Sequence, residues 1–251
     1  MPWRFTPAEF LELWPQVGVA RFPFPLQLRD SAATIDERDR TALHARAQLE
    51  RDGILRSGRM EADLESALRT LARPLLWCTA FGFFGPQPHQ LVRIRAARSG
   101  GSGVLAVQFA GPAEDVGGDL LVRTIAASAL ADEVVGALPP APAGRSAPAS
   151  WDRPAPSEGY ASVDVMPSRT QRSAERFEQL VQGPFSCAGQ FTAGHVDANG
   201  EQKRVSTLRW FDRPDDGRYL ATHGQTATVR PADAATITTA LHAQLRSLSR
   251  S

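Results

Sequence analysis

The chain has little cysteine, no long hydrophobic run and no dominant charge, and each shortage removes a class of function. Its two cysteines form no Cys-x-x-Cys pair, so a zinc site built on thiolates alone is excluded and two reduced, buried thiols are expected. No stretch approaches the roughly 18 consecutive apolar residues of a membrane-spanning helix. Glu9 and Glu12 stand where a signal peptide needs a basic start and a longer apolar core, so a cytoplasmic protein without membrane insertion is expected. The formal charge is +1, with Lys and Arg scattered along the chain, which offers no global field for nucleic acid.

Catalytic signatures are missing as well. There is no Gly-x-x-x-x-Gly-Lys loop, no Gly-x-Ser-x-Gly elbow, no His-Glu-x-x-His pair and no Gly-x-Gly-x-x-Gly after a strand, so neither an enzymatic activity nor a cofactor is expected. Gly100 to Gly103 leads into Val104-Leu105-Ala106-Val107, a strand pattern where a phosphate cradle needs a helix N-terminus, and reads as a hairpin turn. His195, two residues before Asp197, and His223 fall in neighbouring predicted strands and could make half of a metal site, for which the spacing supplies no third ligand. They leave a small-molecule or metal-binding enzyme as the alternative.

What is present is a repeat. Trp77-Cys78-Thr79-Ala80 opens one β-rich block, which continues to Leu121-Val122-Arg123-Thr124 and a helix bearing Leu130, Val134 and Leu138. Ser186-Cys187-Ala188-Gly189 opens another, which continues to Thr228-Val229-Arg230-Pro231 and a helix bearing Ile237, Leu241 and Leu245. The cysteines are offset by 109 (187 − 78), the arginines by 107 (230 − 123) and the last leucines by 107 (245 − 138). A near-constant offset points to duplication about a pseudo-two-fold, and so to a scaffold with one broad surface. The halves are expected at 1–138 and 159–251, divided by a Pro/Ala-rich linker at 139–158.

The element order follows from periodicity and breakers. Thr6-Pro7 opens a helix to Leu13, Thr34 with Glu37 makes a capping box for a helix to about Asp52, and Met60, Leu64, Leu68 and Leu71 mark a third helix that Pro74 ends. Strands are expected at Phe22 to Leu28, confined to an edge because Pro23 and Pro25 remove ladder donors, and at Leu75 to Phe84, Leu91 to Ala97, Val104 to Phe109 and Asp119 to Ile125, with a helix over Ala126 to Leu138. The second half repeats the order: a strand at Tyr160 to Val165, a helix at Thr170 to Val181, and strands at Ser186 to Asp197, Lys203 to Asp212, Gly217 to His223 and Thr226 to Arg230. Asp233 then caps a helix to about Leu248. Consecutive strands with helices grouped between the sets make an α+β fold.

Sheet faces supply the binding candidates. Trp210 and Phe211 are adjacent, so in a strand they point to opposite faces; only one is expected in the core, and the other faces outward. Phe191 alternates against Gln190 and Thr192, which with Arg209 and Phe211 form a mixed polar and apolar face. Asp212, Asp215 and Asp216 crowd one turn and read as turn chemistry, with Gly217 at positive φ.

The run of short motifs resembles the EspG family, cytosolic chaperones of the type VII (ESX) secretion systems of actinobacteria. The resemblance rests on Pro23-Phe24-Pro25-Leu26, Ala188-Gly189-Gln190-Phe191, Gly217-Arg218-Tyr219-Leu220 and Val229-Arg230-Pro231-Ala232-Asp233-Ala234, in the family's order across nearly the whole chain. It implies a quasi-two-fold α+β fold, a central antiparallel sheet flanked by two helical bundles, without enzymatic activity. It also implies a partner: a PE–PPE heterodimer, gripped at the helical tip of its PPE subunit, kept soluble and delivered for export, the chaperone being a monomer or weak homodimer when free. The protein-binding set is then Gln190, Thr192, Arg209, Phe211, Arg218 and Tyr219. A self-assembling scaffold, its outward sheet face paired with itself, is the third reading.

Overall fold

Helix starts obey local hydrogen bonding. A short strand β1 (Trp3–Phe5) precedes Thr6, whose Oγ1 accepts from the Glu9 N–H at 3.3 Å while the Glu9 carboxylate accepts from the Thr6 N–H at 2.8 Å. That reciprocal cap starts α1 (Pro7–Leu13), which runs into a 3-10 turn over Trp14–Val17. The structure, a computed structural model, describes residues 2–29, 32–85, 90–113, 116–152, 169–197 and 201–248. Thr34 Oγ1 accepts from the Glu37 N–H at 3.1 Å and opens α2 (Ile35–Arg51), but the Glu37 carboxylate turns back to the Ala33 N–H at 2.9 Å, one residue before the expected box. The hairpin β2 (Leu55–Arg56) and β3 (Arg59–Met60) takes Met60 out of the expected helix, so α3 (Ala62–Ala72) begins after it and buries Leu64, Leu68 and Leu71.

The β-rich blocks make one sheet. Its strands are β4 (Leu76–Phe84), β5 (Leu91–Ser99), β6 (Ser102–Ala110) and β7 (Gly117–Ala126), then α4 (Leu130–Gly136) and β8 (Ala149–Asp152). After α5 (Arg169–Val181) come β9 (Cys187–Val196), β10 (Gln202–Arg204), β11 (Leu208–Arg213), β12 (Gly217–Thr222), β13 (Thr226–Pro231) and α6 (Ala234–Leu248). Among the described residues these form an eleven-stranded antiparallel sheet in the order β1-β7-β6-β5-β4-β9-β11-β12-β13-β8, with β10 beside β9. The two meanders therefore meet along β4 and β9, in register from Leu76 opposite His195 to Phe84 opposite Cys187. The architecture is α+β.

Helices cover both faces. On the first, Val134 of α4 and Leu241 of α6 close over Cys78, Ile94, Leu105, Phe191 and Trp210. On the second, α1 to α3 pack Phe10, Leu13 and Leu68 on Trp77, Val104 and Val122 at one end, and α5 packs Leu180 on Phe211, Tyr219 and Val229 at the other.

Five expectations need correction. Trp210 and Phe211 do face opposite ways, but both are buried, at 1% and 6% exposure, because α5 covers the face that was expected to be open. Phe22 to Leu28 is no strand: Pro23 and Pro25 remove ladder donors, and side chains replace the ladder, with Gln108 Oε1 accepting from the Gln27 N–H at 2.9 Å and Arg95 Nη1 donating to the Phe24 carbonyl at 2.7 Å. Of the Pro/Ala-rich stretch expected as a linker, the described residues 139–152 lie against the sheet, where Ala149–Asp152 adds an edge strand to β13. Lys203 to Asp212 is two strands, both paired with β9, joined by a bend at which the Val205 N–H donates to the Ala193 carbonyl at 3.0 Å. The expected helix from Ala126 starts only at Leu130, since β7 runs on to Ala126. The strand expected at Tyr160 to Val165 lies outside the described residues.

Candidate protein-binding surface

Strand register gathers side chains into cross-strand rows on the second face. Phe81, Gln190 and Arg209 make one row and Phe83, Ala188 and Phe211 the next. On the other side of the first row lie Thr79 and Thr192, and Thr192 Oγ1 meets Thr207 Oγ1 at 3.5 Å. Arg209 is exposed, while Phe81, Phe83, Ala188 and Gln190 are half-buried. Helices α1 to α3 stop short of this strip on one side and α5 on the other.

Each border is pinned by an arginine. The loop over residues 22–28 is held by the Arg95 bond to the Phe24 carbonyl and by Arg93 Nη2 donating to Gln27 Oε1 at 2.7 Å. It lays the Phe24 ring edge-on to Phe81, centroids 5.4 Å apart at 88°. Opposite, Arg213 Nη1 donates to the Gln179 and Leu180 carbonyls at 2.5 and 3.2 Å, closing the last turn of α5. Phe185 leans on Phe211, centroids 4.8 Å apart. Phe24 and Phe185 remain 44% and 39% exposed, so each border presents an aromatic ring to solvent.

Of the six residues expected to bind protein, the strip holds Gln190 and Arg209 at its surface, with Thr192 and Phe211 buried in its floor. Arg218 and Tyr219 are buried and serve the fold. Arg218 lies on the first face over Trp210, 4.8 Å from the ring centroid, donates to both Asp212 carboxylate oxygens at 2.7 and 2.8 Å and to the Pro139 carbonyl at 2.8 Å. Tyr219 donates to Asp216 Oδ2 at 2.6 Å and accepts from the Ser146 N–H at 2.9 Å. Together they fasten the segment that leads into β8. Sequence reasoning missed Phe24, Phe81, Phe185 and Arg204 as members of the surface. The two prolines around Phe24 were its signal, since they hold an aromatic ring on a turn instead of in a ladder.

The surface is electropositive. Arg204, opposite Gly194, stacks over Trp77 at 5.6 Å, and Arg95 lies 4.9 Å from the same ring. Burial, then the Arg204 charge, pushes the Arg95 guanidinium down from its ordinary range. Burial, then Arg209, pushes the His223 imidazole down.

Among the described residues the candidate metal and redox groups are not brought together. Among the described residues no three His, Cys, Asp or Glu side chains gather to hold an ion. His195 is buried in β9, Asp197 pairs with Lys203 at 3.1 Å, and His223 follows β12, with β11 lying between β12 and β9. Cys78 lies opposite Ala193 and Cys187 opposite Phe84, so the two free thiols are six residues apart along β9, about 20 Å. No described helix is long and apolar enough to cross a membrane.

A family model described as "EspG family" matches residues 6–243, spanning both meanders. No curated protein matches the chain.

Proposed function

The chain belongs to the EspG family, chaperones associated with ESX (type VII) secretion, and on that premise we propose that it binds the helical tip of the PPE subunit of a PE–PPE heterodimer. The complex is one-to-one-to-one and cytoplasmic, and it keeps the cargo from self-association until export. The observation that carries this reading is the open strip of sheet between the 22–28 loop and α5, bordered by two exposed aromatic rings over a rigid floor. A mixed polar and apolar surface of this kind suits a partner that must be covered and later released.

We infer also that halves 1–138 and 159–251 are related by a quasi-two-fold axis at the seam. Two features support it: β4 and β9 pair antiparallel, as a two-fold requires, and the offset of 107 places Gly82 opposite its own counterpart Gly189. The strip then sits on the axis, where both halves contribute to one platform between two helical bundles. Free of cargo, the chaperone is a monomer or weak homodimer.

Co-expression with the PE–PPE pair encoded nearby tests the reading. Co-purification as a single equimolar species by light scattering supports it, and failure of two well-expressed partners to associate overturns it. Self-association of the isolated chain into large particles would favour a scaffold instead.

A further inference from the structure

The charges on the strip are one-sided. The chain as a whole carries a formal charge of only +1, and some exposed arginines elsewhere pair with a carboxylate, as in Arg4 with Asp119 at 3.0 Å and Arg69 with Glu65 at 2.6 Å. Arg204 and Arg209, both exposed on the strip, have no ion-pair partner among the described residues. The rows around them, Thr79 with Thr192, Phe81 with Gln190 and Phe83 with Ala188, contain no acidic side chain. Arg95 beneath Arg204 is buried and donates to the neutral Phe24 carbonyl. An uncompensated cationic patch over a low-dielectric floor is a standing attraction for carboxylates.

We propose that the strip recognises an amphipathic helix that carries two carboxylates, one for Arg204 and one for Arg209, and an apolar side chain for the Phe24–Phe81 pair. The identification of the helix as cargo rests on the function proposed above; the charge requirement rests on this chain's own residues. Spacing sharpens the demand. Arg204 stands opposite Gly194 and Arg209 opposite Gln190, four residues along β9, about 13 Å. Carboxylates seven residues apart on a helix are separated by about 10–11 Å along its axis and face the same way to within about 20°. Arg95 acts as a positioning residue, since its bond to the Phe24 carbonyl holds the aromatic ring beside the charged row.

The first test is the affinity of the neighbouring PE–PPE heterodimer for the wild type and for the Arg204→Glu/Arg209→Glu variant, at low and high salt. The variant should bind at least about tenfold more weakly at low salt and lose most of its salt dependence, with an unchanged melting temperature. Arg204→Lys/Arg209→Lys should retain the salt dependence. A heterodimer that binds the charge-reversed variant as tightly as the wild type overturns the inference and leaves the chaperone reading intact. If the wild type binds no heterodimer, that reading fails, and a second probe decides the inference: a synthetic amphipathic helix with Glu at two positions seven apart, against the same peptide with Lys. Shifts in the Arg204 and Arg209 Nε–H resonances with the Glu peptide alone support it; no shift, or equal shifts with both, overturns it.

Discussion

Gly82 lies directly across the β4–β9 seam from Gly189, and a Cβ on Gly82 would come within 2.2 Å of the Ala188 carbonyl oxygen. A Cβ on Gly189 would meet the Phe81 carbonyl at 2.6 Å. The obstacles are backbone, which a rotamer change does not relieve. Gly82→Ala is expected to cost about 1–3 kcal/mol and to lower the melting temperature by about 5 °C. Gly101→Ala, with nothing within 4 Å of its Cβ, should leave it unchanged. Calorimetry of the two variants checks this, and equal melting temperatures would mean that the seam has slack.

Neighbours in β11 should respond oppositely to truncation. Phe211 is buried between Phe185, Tyr219 and α5, and Phe211→Ala should cost about 3–5 kcal/mol. Arg209 is exposed beside it, and Arg209→Ala should stay within about 0.5 kcal/mol. Denaturant unfolding of both variants measures the contrast. If Phe211→Ala unfolded like wild type, α5 would not be a permanent cover of that face.

Phe211 and its other neighbour, Trp210, show where sequence reading ran out. Alternation placed Trp210 and Phe211 on opposite faces correctly, because strand geometry is local. Which face is covered depends on where α5 docks, and that is decided by Arg213 closing the helix end and by Leu180 meeting Tyr219, contacts between residues far apart in the chain. The strands of both meanders were legible to within a few residues, since Gly and Pro mark their turns. The segment from Pro139 to Asp152 was not, because its order comes from Arg218 and Tyr219 and not from its own composition. Gln190 and Arg209 were found on the strip through the period of two. Arg204 was hidden by the bend that divides β10 from β11.

Asp212 and Arg218 form a buried bidentate pair, and removing one partner strands the other charge in the core. Asp212→Ala is expected to cost about 3–5 kcal/mol, whereas Asp212→Leu/Arg218→Met should cost less than either single truncation. The pair also holds Pro139, so trypsin should cut Asp212→Ala faster after Arg145, an exposed arginine in the fastened segment. A double-mutant cycle with peptide mapping checks both effects. Equal cleavage rates in wild type and variant would show that β8 and Tyr219 hold the segment unaided.

Cys78 offers a pH signature of the same core. Burial pushes its thiol up from the ordinary 9.0 to about 12, with the Arg95 charge opposing. A folded-state pKa above the unfolded one gives stability that is complete below about pH 9 and is lost as the pH climbs toward 12, because the unfolded chain ionises first. Between pH 8 and pH 10 the wild type should therefore lose about 1 kcal/mol more than Cys78→Ala, each compared with its own stability at pH 8. The comparison of slopes cancels the cavity that the substitution creates. Cys187, half-buried and raised chiefly by burial and then by Asp212, remains in both proteins and adds the same trend to each. Native Cys78 should also resist thiol reagents at pH 8 until the chain unfolds. Parallel stability curves for the two proteins, or rapid labelling of Cys78 in the folded state, would mean that the seam opens to solvent around β4.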